Sequence, residues 1–295
     1  MRHWTLLPDH SHPTATPQAR GGGCDCRRYR ISRGGRQRWL QAPTGWTTFT
    51  VAFRGELRIS GPMGEASGTQ SFSSSLAGPH TRARLREHGG SYIGLEVALP
   101  PWEAFRTFGV TMHELAEQVV QPGQLLGRRF DTLVAALAAT RRWEERLHLL
   151  DVRLEEWAAT GPGYSPGIVG AWQELARSSG TIPIGRLVAG TQWSWRQLQE
   201  HFREQIGLLP KAAARVLRLR RALMLLTADR PPAGVATVCG FSDQAHLTRE
   251  LKAMTGRTAQ WYLRGRGTAG GGPRGALTGA GPAWPADTEE RLLIL

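Results

Sequence analysis

No stretch of the chain holds the roughly 18 consecutive apolar residues of a membrane-crossing helix, so no span is predicted. Met1 to Pro13 carries a single arginine and lacks the apolar core of a secretory signal, so nothing there marks the chain for export. Cysteine is scarce too. Cys24, Cys26 and Cys239 are too few for a disulfide framework, and a reducing cytoplasm is the expected compartment. Metal-ligand spacing is also missing. Cys24-Asp-Cys26 separates its thiols by one residue, tighter than structural zinc sites use, and the nearby His3, His10 and His12 do not repair it. His113-Glu114 invites a zinc-hydrolase reading, but Glu117 stands where the second histidine is required. These absences leave no catalytic residue, cofactor or metal to expect.

What the sequence has is positive charge, unevenly placed. The 295 residues carry 37 Lys and Arg against 24 Asp and Glu, a formal net charge of +13. From Ala171 to Arg266 there are 15 basic and 6 acidic residues, leaving +9 in about a third of the chain. Such a local excess suits a polyanionic partner, because neutralised phosphates release their counterions. A solvated basic face is the plainer alternative. The length suggests two domains, and 40% hydrophobic residues against 21% charged allow packed cores.

Residues 1–27, rich in Pro, His, Gly and Arg, read as a loose leader. From Trp46 the pattern changes. Trp46 to Phe53 is β-branched and aromatic, Arg54-Gly55 offers a turn, and Glu56 to Ile59 alternates. Thr69 to Leu76, Thr81 to Leu85 and Tyr92 to Leu99 are further strand candidates. After Pro100-Pro101 the periodicity becomes helical. Trp102 to Phe108, Thr111 to Val120 (with Thr111 and Glu114 as a capping box), Gln124 to Thr140 and Glu144 to Ala159 are the predicted helices. Gly161 to Gly167 reads as a linker, and 267–295 as a disordered tail. Residues 28–165 are therefore expected to form a sensing or dimerising domain, and 171–266 a separate one.

The second domain contains an internal repeat. Leu198, Phe202 and Gly207 recur 49 positions later as Leu247, Leu251 and Gly256, while Trp193-Ser194 recurs 48 positions later as Phe241-Ser242. Each copy predicts a short helix, a tight turn and a longer helix. The apolar pairs close a small core, and Trp193 and Phe241 join it. Ser194, and Ser242 or Asp243, are suited to cap the longer helix, whose first turns then project outward. The joining segment from Pro210 to Leu226 starts with a helix-compatible proline and continues in good helix formers.

Gly240-Phe-Ser-Asp-Gln-Ala-His-Leu-Thr-Arg249-Glu-Leu-Lys252, ending in Thr255-Gly-Arg-Thr258, resembles the signature of the AraC/XylS family of regulators. Gly207-Leu-Leu-Pro-Lys211, with Arg215, Arg218-Leu219 and Ala222, is similar to that family's linker helix. The resemblance covers about 90 residues. It implies a seven-helix double helix-turn-helix domain that reads two adjacent major-groove segments. The whole chain is then an α+β protein: a small antiparallel β domain, barrel- or sandwich-like, with a helical extension, followed by the all-α module. Gln192 stands where the family usually has Gly, Glu200 where it often has Arg, and Pro231-Pro232 with Gly234 where apolar helix formers are usual. The first two bear on the first unit's contacts more than on the second's. Upstream, Pro43 to Trp46, Gly55 to Pro62 and the Pro101 to Gly127 stretch resemble a sensor-like domain fused to such modules in actinobacterial-type regulators.

On this reading Gln244, His246 and Arg249 are candidate base contacts. Gln pairs bidentately with adenine, Arg with guanine, and His donates to an acceptor edge. In the first unit Arg196 and Gln199 are candidate base readers, and Trp195 could pack on sugar or a thymine methyl. Lys211, Arg215, Arg218, Ser242, Lys252 and Arg203 are candidate phosphate contacts, which fix register without reading sequence. The expected partner is double-stranded DNA. An activator would also meet RNA polymerase or its sigma subunit, and the N-terminal domain could take a small-molecule effector or form a homodimer. An alternative keeps only the second unit competent, with the chain acting through partner proteins. Alkyl-transfer repair, which a related architecture carries out through a metal-held cysteine, lacks its four-cysteine cluster here.

Overall fold

The structure is a computed structural model, and it describes residues 5–7, 28–34, 37–62, 68–89, 92–264 and 290–293. Cys24, Cys26, His3, His10 and His12 lie outside the described residues. Eleven strands are described: β1 (Thr5–Leu7), β2 (Arg28–Gly34), β3 (Gln37–Gln41), β4 (Thr47–Arg54), β5 (Leu57–Pro62), β6 (Thr69–Phe72), β7 (Ser74–Ala77), β8 (Arg84–His88), β9 (Tyr92–Leu99), β10 (Val119–Val120) and β11 (Glu290–Leu293). They form a six-stranded sheet in the order β1-β2-β9-β4-β7-β10 and a five-stranded sheet in the order β11-β3-β8-β5-β6. Pairing is antiparallel except at two edges, where β1 joins β2 and β11 joins β3 in parallel. Both edge strands fall in segments expected to be a leader and a tail. They are too short to stand alone, and each takes its hydrogen bonds from an existing sheet edge.

Period-two alternation builds the layers. From β4 and β9, Phe49, Val51, Leu95, Val97 and Leu99 face a helical layer and form one core with its apolar residues. Tyr92 and Ala98 of β9 face the other way, against Trp39, Leu57, Ile59 and Phe72 of the second sheet. The domain is thus a sandwich with helices on one outer face. The space between the sheets is not purely apolar. Arg86 of β8 and Glu96 of β9 form a 2.9 Å ion pair there, with 2% and 4% of their side chains exposed. Arg86 also donates to Thr50 Oγ1 and Gln41 Oε1, at 3.3 and 3.5 Å.

The run Thr69 to Leu76, expected as one strand, is two. Phe72 points between the sheets and Leu76 toward the helices, so the chain crosses from one sheet to the other between β6 and β7. The strand expected at Thr81 begins at Arg84, because Ala83 is committed elsewhere, as described below.

The helical extension is α1 (Pro101–Phe108), α2 (Met112–Leu115), α3 (Pro122–Leu126), α4 (Arg128–Ala139) and α5 (Trp143–Ala159). The helix expected over Thr111 to Val120 stops at Leu115. Glu117 adopts a left-handed φ of 59°, and Val119-Val120 then pairs with β7. Thr111 occupies the N-cap position of α2 but makes no side-chain cap bond, so the expected capping box does not form. Gly127, at φ 52° and ψ −133°, splits the next expected helix into α3 and α4.

Seven helices follow: α6 (Pro166–Arg177), α7 (Ile184–Ala189), α8 (Trp195–Gln205), α9 (Pro210–Thr227), α10 (Pro232–Val238), α11 (Gln244–Thr255) and α12 (Ala259–Arg264). Their core includes Leu198, Phe202, Leu217, Leu223, Leu247 and Leu251. Leu40, Ala42, Ala83 and Trp102 of the N-terminal half belong to the same cluster, so the halves share a core. Trp102 meets Trp172 edge-on, with ring centroids 6.0 Å apart. The segment expected as a linker is packed accordingly. A Cβ on Gly161 would sit 1.7 Å from the Arg106 carbonyl oxygen, Tyr164 touches both cores, and α6 already starts at Pro166.

Candidate nucleic-acid interface

The two units start from matching caps. Ser194 Oγ accepts from the backbone N–H of Gln197, and the Gln197 side chain accepts from the Ser194 N–H, closing a capping box on α8. On α11 the cap is Asp243, whose Oδ1 accepts from the His246 N–H at 2.6 Å. That bond, with the Ser242 hydroxyl and the nearby Arg249 charge, holds the Asp243 carboxyl below the usual carboxylate range. It stays ionised and caps the start of α11.

The repeated glycines answer a backbone need. Gly207 and Gly256 follow α8 and α11 with φ of 84° and 68°, a region L side chains rarely adopt. In the turn before α11, Gly240 also lies at positive φ (70°), whereas Gln192 in the first turn is not among the positive-φ residues. The departure from Gly at Gln192 therefore carries no backbone strain. Pro231 and Pro232 likewise fit, as N-cap and first helical residue of α10.

On α11, Gln244, Ala245, Arg249 and Lys252 are exposed, and Leu247, Leu251 and Met254 are buried. His246 is half-buried. Its ring meets Phe241 edge-on at 5.4 Å, and its Nδ1 lies 3.1 Å from Ser242 Oγ. Ser242 is exposed beside it. Ala245 was not singled out in the sequence, yet it shares the exposed face with Arg249 one turn on; the i, i+4 spacing was the available signal.

On α8, Arg196 and Arg203 are exposed and Gln199 is half-buried. Arg196 Nε donates to Glu200 Oε1 at 3.1 Å, with 89% and 63% of those side chains exposed. A pair so open to water holds weakly and can yield to a base or phosphate. Trp195 is half-buried and packs on the helical core, so much of its ring is already in use.

Lys211 at the start of α9 is exposed, as is Lys252. Two of the other expected phosphate contacts are engaged within the protein. Arg215 makes two hydrogen bonds to Glu250 of α11, at 3.0 and 3.1 Å. The guanidinium of Arg218 lies 5.5 Å from the Phe241 ring centre, with Nη1 3.3 Å from the Gly240 carbonyl oxygen. Both brace α9 against the second unit, while Arg215 keeps 47% of its side chain exposed.

The C-terminal ends of both longer helices lean on the β domain. Ala83 donates its backbone N–H to the Met254 carbonyl at 2.6 Å. A Cβ on Gly207 would come within 2.6 Å of the Met112 carbonyl oxygen and 3.1 Å of Pro79 Cγ. Gln205 at the end of α8 accepts from the Ser165 N–H at 2.9 Å. No helix among the described residues is long and apolar enough to cross a membrane, and no group of His, Cys, Asp or Glu among them could hold a metal ion.

Two short helices each followed across a tight turn by a capped, outward-facing helix make a double helix-turn-helix. Residues 187–265 match the family model described as a helix-turn-helix domain. The match spans about a quarter of the chain and shows that this region is a helix-turn-helix domain, a class of module that binds DNA. Solved structures with a similar arrangement include ToxT from Vibrio cholerae, at 7% identity over 80% of this chain and 97% of that chain, with a TM-score of 0.45. A second, of ToxT from Vibrio cholerae O395, has 8% identity over 80% of this chain and 96% of that one, with a TM-score of 0.44. Comparison with curated protein sequences finds no match.

Proposed function

We propose that the chain reads a defined duplex sequence with α8 and α11 in adjacent major-groove segments, under control of the β domain. The observation that carries this reading is the pair of capped helices whose first turns expose polar side chains while their apolar sides form one core. Gln244, His246 and Arg249 contact bases from α11, and Arg196 and Gln199 do so from α8, with Trp195 packing at the groove edge. Lys211, Lys252, Arg203 and Ser242 contact phosphates. Arg215 and Arg218 serve there only as far as their internal contacts allow. Control comes through an effector or a second copy bound by the β domain, and an activator would further engage RNA polymerase or its sigma subunit.

A second reading has only α11 competent, with α8 serving as a mount. Glu200, an exposed acid on α8 paired with Arg196, favours it. Selection of bound duplex fragments by the full chain at physiological salt separates the two. Two half-sites about one helical turn apart support the first reading, a single half-site supports the second, and equal affinity for every duplex would overturn both.

A further inference from the structure

Arg215, Arg218 and Arg221 recur every three residues along α9, a stripe whose members meet three different elements. Arg215 is bonded to Glu250 of α11. Arg218 reaches the turn that precedes α11. Its guanidinium lies 5.5 Å from the Phe241 ring centre, and Nη1 donates to the Gly240 carbonyl at 3.3 Å. Arg221 reaches the first unit instead, where Nη1 donates to Ser179 Oγ at 3.4 Å in the loop between α6 and α7.

That loop is pressed between α9 and the second unit. Ser179 and Gly180 are consecutive left-handed residues, at φ 51° and 74°. A Cβ on Gly180 would sit 2.0 Å from the Ala214 carbonyl oxygen of α9, so the two backbones are in contact. One residue on, Thr181 meets the second unit: a Cβ on Gly240, itself at φ 70°, would come 3.0 Å from Thr181 Cγ2. The turn that sets the start of α11 is therefore held from two sides, by Arg218 of α9 and by Thr181 of the loop that leads into α7. A joining helix alone sets the distance between two units but lets each swivel on its attachment. A contact off the helix axis supplies the second point that a fixed orientation needs.

We propose that Arg218, Arg221 and the Thr181–Gly240 contact lock the second unit's turn to the loop ahead of the first unit, and that this lock makes the module demand one spacing between its half-sites. Arg218 and Arg221 are then positioning residues, in place of the phosphate role expected for Arg218. One base pair added between half-sites moves the second by about 3.4 Å and turns it by about 35°, at roughly ten pairs per turn. A locked module then meets only one half-site, whereas a hinged one follows the shift. The spacing rests on the DNA-reading assignment above; the lock does not.

Binding of the full chain is measured to duplexes that carry its selected site with and without one base pair inserted between half-sites. The insertion is expected to weaken wild-type binding about a hundredfold, and that penalty to fall to about tenfold or less in Arg218→Ala. A small penalty in the wild type, or one that Arg218→Ala leaves unchanged, would overturn the spacing role, because a lost phosphate contact alone weakens both duplexes equally. The lock is read without DNA, from the distance between spin labels at Arg203→Cys on α8 and Ala253→Cys on α11, both exposed positions. Cys24→Ser and Cys26→Ser remove competing thiols, and Cys239 is fully buried. One narrow distance is expected, broadened by Arg218→Ala; a width that Arg218→Ala leaves unchanged would overturn the lock. If Arg218→Ala does not fold, Arg221→Ala decides through the same two readouts. A chain that broadens as expected but selects no duplex would overturn the DNA-reading assignment and leave the lock standing.

Discussion

Arg215 on α9 clasps Glu250 on α11 through two parallel hydrogen bonds, of 3.0 and 3.1 Å. The helix that joins the two units is thereby fastened to α11, and a cation proposed to meet phosphate is held by an internal carboxylate. Glu250→Gln should release it. The expected stability loss is small, about 0.5–1 kcal/mol, because Arg215 is nearly half exposed. Affinity for any duplex should rise, and the slope of log K against log salt should steepen by about one. An unchanged slope would mean that Arg215 does not reach a phosphate even when freed.

Arg249 is exposed on α11 beside Gln244 and Ala245, and its own helix carries no carboxylate bonded to it in the manner of Arg196. Arg249→Ala should cost about 1–3 kcal/mol of specific binding and relax one base position in a selected site. Ser194→Ala acts differently. Removing that cap should cost about 1 kcal/mol of folding stability and blur the half-site read by α8, leaving the α11 half-site sharp. Selection with each variant, alongside thermal unfolding, separates a lost contact from a loosened helix.

The elements read most closely from the chain were those whose signal is local. Tyr92 to Leu99 lies between Gly and Pro breaks and is β9; Trp195 to Gln205 follows a capping serine and is α8. The repeated glycines were visible at their spacing, and the structure supplies their positive φ. What stayed hidden depends on partners distant in sequence. Glu117 was weighed as a failed zinc ligand, while its work is to hold Thr81, 36 positions away. The crossing between sheets at Ser73 leaves no mark in a run that reads as one strand. Nor could the expected linker be seen as packed, because glycine and proline signal turns whether those turns meet water or the Arg106 carbonyl.

The pair of Arg86 and Glu96 makes a prediction about the sandwich interior. Both are almost fully buried and 2.9 Å apart, and Arg86 also holds Thr50 and Gln41. Glu96→Ala should cost about 3–5 kcal/mol, because it leaves a guanidinium buried without its counter-charge. Replacing both by apolar residues of similar volume should cost far less than the sum of the two single changes. Denaturant unfolding of the two single variants and the double variant measures the coupling directly. Additive losses would show that the pair is bystander to the packing around Trp39 and Tyr92.

His80 is buried in the segment that packs against the ends of both units. Burial, then the Arg84 charge, lowers its pKa from 6.5 to about 4, with a lesser push from Arg86, against the opposing pull of backbone hydrogen bonds to Gly78 and Gln41. The unfolded chain therefore binds a proton near pH 6.5 that the folded chain refuses until about pH 4. Stability from this group is complete above pH 6.5 and falls as the pH drops through that window, by roughly 3 kcal/mol in all at about 1.4 kcal/mol per unit. His80→Asn should remove that part of the acid sensitivity, whatever it costs at neutral pH. Unfolding free energies of both proteins at pH 7, 5.5 and 4 (roughly spanning the window) give the comparison. The gap between them should narrow steadily toward acid. Parallel curves would mean that His80 is as free to take a proton in the folded chain as in the unfolded one, and that its burial beside Arg84 has no electrostatic consequence.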